Sequence, residues 1–193
     1  MKAFFSKYGY NIFKLFLNQF AIALFGIALA LACGKAGNST LQWVTSLFAV
    51  LFYLFLEYAA MWEIGAKDGI SAKARKESRR LWRGAVISLC ANALNLLLAI
   101  LILPGAFAPG TKAEGFSSAF SIVALLIEGM YTGILAQPFR GIALNEYAWV
   151  YFAIIAPAVL VSAGAYILGS FDLHFTNILI PKNKDVKNNG RSK

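Results

Sequence analysis

Five apolar runs, each close to the length that crosses a bilayer, divide this 193-residue chain, and they constrain its fold more than any other feature. A helix needs about 20 apolar residues to traverse the hydrocarbon core. The runs are residues 12–32, 41–64, 81–103, 116–137 and 149–169. Between them lie short segments that hold most of the charge. Only 14% of the residues are charged, against about 25% in a soluble globular protein. That deficit excludes a disordered chain, a coiled coil and an ordinary soluble enzyme. The expected fold class is all-α: a polytopic integral membrane helix bundle.

The basic residues give the topology. Of 18 Lys and Arg, three lie at Lys2, Lys7 and Lys14, and five lie in the tail after Pro181. Seven more fall from Gly65 to Arg83, around the gap between the second and third runs: Lys67, Lys73, Arg75, Lys76, Arg79, Arg80 and Arg83. Cytoplasmic loops carry such an excess, so this loop and the start of the chain read as cytoplasmic. Nucleic-acid binding is not expected, because no binding module accompanies the charge.

Run four decides the number of crossings. If it spans, there are five transmembrane helices and the basic tail, residues 181–193, faces outward. If it does not, there are four, and every basic cluster is cytoplasmic. Glu128 stands near its centre, where a charge costs about 2.5–3.5 kcal/mol on insertion scales. The charge pattern therefore favours four transmembrane helices plus one re-entrant or interfacial helix, with five as the alternative. Such a protein is a single multi-pass domain, residues 1–180, of a plasma (inner) membrane, with both termini cytoplasmic and a disordered tail. Trp43, Trp62, Trp82, Tyr147, Trp149 and Tyr151 mark the ends of runs, as interfacial aromatics do. Ala30-Leu31-Ala32 before Cys33 imitates a signal cleavage site, but the preceding region is long and aromatic, so cleavage is not expected.

The polar residues inside the runs are the candidate site. Asn18 and Gln19 in run one, Glu57 in run two, and Ser88, Asn92 and Asn95 in run three fall at similar depth in the cytoplasmic half. Ser88, Asn92 and Asn95 are spaced to share one helix face. Intramembrane ionisable residues are functional candidates by default. Glu57 would bind a proton or cation with the amides as partners, or the set would simply hydrogen-bond helices together. Glu128 is a second candidate, lining a cavity or forming the polar face of an interfacial helix. Gly129 and Gly133 form a GxxxG pair, and Gly26 with Ala30 a similar one, both suited to close helix contact. Pro157 is expected to kink the last span.

Lys73, Arg75, Lys76, Arg79, Arg80 and Arg83 are candidate contacts for anionic lipid headgroups, or a topological signal alone. No catalytic residue, metal site or cofactor is expected. The chain has two cysteines and one histidine, His174, and lacks HExxH, GxSxG, P-loop and dinucleotide motifs. Cys33 and Cys90 read as small apolar residues rather than a disulfide. The expected role is a non-catalytic membrane component acting through helix packing and association with a membrane-protein partner or itself. The alternative is a small-solute or ion transporter with its polar site around Glu57.

Overall fold

The computed structural model describes residues 2–108 and 110–173. His174 and the basic tail lie outside the described residues. The protein is helical, with three helices long and apolar enough to cross a membrane, or up to five if two bent pairs each count as one span.

Helices α1 (Lys2–Lys35) and α2 (Ser39–Arg75) form an antiparallel hairpin. Gly37 turns the chain with φ +65°, and the Asn38 side chain caps α2 by accepting from Leu41 N at 3.0 Å. At 1.5 Å per residue, α2 is about 55 Å long, well beyond a hydrocarbon core of about 30 Å. The basic segment expected as a loop from residue 65 is thus helical as far as Arg75, and only residues 76–82 lie outside a helix. Ala66, Ala72, Ala74 and the Lys and Arg among them are strong helix formers, so helix continues past the apolar run.

Run three is broken. It forms α3 (Arg83–Ala91) and α4 (Ala93–Phe107), bent by 61° at Asn92. Pro104, which directly follows the apolar run and would be expected to stop the helix there, sits inside α4 instead. Gly105 N, beside the proline, donates to Ser117 Oγ at 2.7 Å on the next helix. Neighbouring serines stabilise interrupted membrane helices in this way. Run four is α5 (Lys112–Ile127), a tight turn over Gly129–Tyr131, and α6 (Thr132–Leu135), bent by 92°. A two-residue hairpin follows, β1 (Pro138–Phe139) with β2 (Ile142–Ala143), closed by Arg140 and Gly141 at positive φ. The last run is α7 (Val150–Ala153) and α8 (Ile155–Ser170). Its break at Ile154 lies three residues before Pro157, which has no N–H to continue the ladder.

Helices α2 and α8 run in parallel. Along them Gly65 meets the Tyr166 backbone, Gly69 the Ser170 backbone and Gly169 the Trp62 backbone. Each contact needs a residue without a Cβ, so the glycines set the helix separation. The GxxxG pair of run four is used on two helices rather than one: Gly129 sits against Ala23 and Ile27 of α1, and Gly133 against Gln42 and Ser46 of α2. Gly26 receives the Met130 backbone.

These contacts order the ends of the bundle. At one end Lys7, Asp68, Arg83 and Tyr166 meet. At the other, the Gln137 amide bonds Ser39 at the start of α2, accepting from its hydroxyl at 3.1 Å. Ser117 near the start of α5 bonds Gly105 near the end of α4. Residues 112–137 thus turn by 92° after Glu128 and finish beside the start of α2, opposite the basic segment. The outward faces are apolar: Phe48, Leu51 and Phe55 on α2 are each more than half exposed. That periodic stripe is compatible with a lipid-facing helix surface.

Candidate functional site: two carboxylates on a buried polar track

Glu57 is buried because helical periodicity puts it there. Val50, Tyr53, Glu57, Met61 and Ile64 fall on the inward face of α2, three or four residues apart. Glu57 is 1% exposed, so it does not snorkel. Ser162 of α8, also buried, donates to its Oε1 at 2.8 Å. No Lys or Arg pairs with it among the described residues.

Tyr53, one turn before Glu57, joins this carboxylate to the rest of the site. Its ring packs in one buried cluster with Met130 and Tyr131, which follow Glu128 in the tight turn. Asn92 occupies the break between α3 and α4. Its Nδ2 donates to Ser88 O at 3.0 Å, and its Oδ1 accepts from Asn95 Nδ2 at 3.0 Å. The i, i+4, i+7 spacing read from sequence thus becomes a chain of hydrogen bonds at the bend.

Glu128 ends α5 where the chain turns by 92°. It is 3% exposed, which overturns the reading of it as the polar face of an interfacial helix. Tyr131, three residues on, is buried as well, and no side-chain hydrogen bond to Glu128 is formed among the described residues. Ser46 of α2 ties down the turn, donating to Met130 O at 2.5 Å and accepting from Ile134 N at 3.3 Å.

The two candidates, separate in sequence, are both buried, as are Asn92, Asn95 and Ser88, and Tyr53 packs between the Glu57 turn of α2 and the turn that follows Glu128. Gln19 is buried with them, whereas Asn18 is half-buried on α1 and outside the core. Ser162, Tyr53 and Tyr131 were not singled out by sequence. Tyr151, read there as interfacial, is 1% exposed and donates to Asn145 O at 3.1 Å. Ser88 Oγ, Asn95 Oδ1 and Tyr131 OH are buried without a partner among the described residues. Each such atom costs about 1–3 kcal/mol. The donor set is carboxylate, phenol, hydroxyl and amide oxygen with no fixed cation. It suits a proton or a small hard cation. No cluster of three or more His, Cys, Asp or Glu forms among the described residues.

A second polar assembly closes the basic end, and sequence reasoning passed over its centre. Asp68 accepts from Lys7 Nζ at 2.6 Å, from Tyr8 OH at 2.5 Å and from Tyr166 OH at 2.7 Å. Arg83 lies 3.9 Å away. Asp68 stands past the apolar run of α2. Burial pushes its carboxyl upward, but the hydrogen bonds from Lys7, Tyr8 and Tyr166 outweigh burial and hold it below the usual carboxylate range. One carboxylate thereby pins α1, α2 and α8 together. Around it opens a cleft of about 550 Å³, lined in part by Arg75, Arg79, Arg80, Trp82 and Arg83. Lys73 and Lys76, grouped with those arginines from sequence, do not line it. No protein family, curated protein or solved structure matches the chain.

Proposed function

We propose that this protein is a non-enzymatic, multi-pass plasma-membrane protein that binds a proton or small cation at Glu57 and Glu128 and passes it across the bilayer. In this reading four segments cross, and residues 112–137 enter and leave from the outer side. Lys2 and the basic cleft face the cytoplasm. One observation carries the reading: Asn92 and Glu128 are buried at the breaks of two bent segments, and the turn after Glu128 packs on Tyr53, one helical turn from the buried Glu57. Discontinuous helices with polar groups at the break are how transporters build ion sites. The partner-association role has less support, because Gly26, Gly65, Gly129 and Gly133, the small residues suited to it, are used inside the protein.

The test is flux into proteoliposomes. Proton entry is read with an entrapped pH-sensitive dye, and rubidium or sodium entry with isotope, under an imposed potential. Wild type should exceed empty vesicles for one of these ions. Glu57→Gln and Glu128→Gln should each lower that flux about tenfold or more while eluting as folded protein, as expected when an intramembrane carboxylate carries the ion. Wild-type vesicles as tight as empty ones, or unchanged flux in both variants, would refute the proposal.

A further inference from the structure

We propose that the cleft at the basic end binds a phosphate-bearing anion, and that its placement favours the headgroup of an anionic phospholipid. The cleft has about 550 Å³, within the range of ligand pockets. Its walls are preformed, because Asp68 ties three of the surrounding helices together. The same bonds engage the charge of Asp68 internally, through Lys7. Arg75, Arg79 and Arg80 also line the cleft and make no ion pair among the described residues. Glu77 is on the lining too, so the surface is cationic without being uniformly so. Guanidinium groups match phosphate oxygens in two-point geometry. Arg79 is held over the Phe171 ring at 4.4 Å, which orders its side chain before any anion arrives. Trp82, more than half exposed on the cleft, marks the level at which headgroups lie.

The experiment uses the full chain purified in a neutral detergent, with thermal unfolding followed as probe is added. The probes are phosphatidylglycerol, phosphatidylcholine and inorganic phosphate. Phosphatidylglycerol should raise the melting temperature and phosphatidylcholine should not. Arg79→Gln with Arg80→Gln should raise the half-maximal lipid concentration about 30-fold, from the usual contribution of a basic residue near an anionic surface. Lys73→Gln with Lys76→Gln removes equal charge outside the cleft and should leave it nearly unchanged. If the arginine pair melts lower before any probe is added, Arg75→Gln replaces it, with about a fivefold effect expected. Inorganic phosphate that protects and displaces the lipid would support the site and assign it to a soluble phosphate compound. Equal losses in the arginine and lysine pairs, or equal protection by phosphatidylcholine, would overturn the proposal.

Discussion

Replacing Asp68 by alanine tests the lock at the basic end. The substitution removes the acceptor for Tyr8 and Tyr166, whose residues are 3% and 1% exposed. A hydrogen bond to a charged group contributes about 1.5–3 kcal/mol. Lys7 has a half-exposed side chain, so its ion pair adds about 0–1 kcal/mol. Water reaches the vacated position from the cleft and recovers part of the loss. The net expectation is about 3 kcal/mol for Asp68→Ala, and about 1–1.5 kcal/mol for Tyr8→Phe or Tyr166→Phe alone. Titration with sodium dodecyl sulfate in mixed micelles, followed by circular dichroism, measures all three. The sign with pH is fixed as well. A carboxyl held low in the folded protein stabilises above its unfolded value of about 3.9, and that contribution fades as pH falls through the lower folded value. The gap between wild type and Asp68→Asn should therefore be flat from about pH 5 to 8 and close only below about pH 4. A loss under about 0.5 kcal/mol for Asp68→Ala, the size of an unremarkable surface substitution, would refute the lock.

Other outcomes follow from packing and topology. Gly65→Ala places a methyl against the Tyr166 carbonyl and should cost about 1–3 kcal/mol despite the better helix propensity of alanine, whereas Gly164→Ala, with open space around it, should cost nothing. Equal melting temperatures for the two would show that α2 and α8 are not held at glycine contact distance. In a protein with Cys33 and Cys90 replaced by alanine, single cysteines at Lys112 and Arg140 should both react with an impermeant maleimide from outside. A cysteine at Arg79 should react only after permeabilisation. Labelling of Lys112 and Arg140 from opposite sides would mean that residues 112–137 cross the membrane.

The apolar runs were legible because crossing a bilayer is a local demand of length and composition, satisfied within each run. Glu57 was legible as an ionisable residue inside an apolar run, whereas Tyr53 and Met61, which share its inward face of α2, were not. The breaks were less so. Asn92 reads as one more polar residue on a helix face, and only its position between α3 and α4 reveals a bend. Asp68 was overlooked because its charge disappears into a strongly basic segment. Its partners Tyr8 and Tyr166 lie 60 and 98 residues away.

Sequence by itself determined that the chain is helical, apolar over most of its length and basic at one end, because these properties depend on neighbours in the chain. Tertiary structure decided that Glu57 and Glu128 are both buried, that residues 112–137 bend by 92° after Glu128, and that Asp68 joins three helices. Those outcomes depend on which helices can approach closely. Gly26, Gly65, Gly129 and Gly133 grant that approach, each against a backbone distant in sequence, so no local pattern announces the partner.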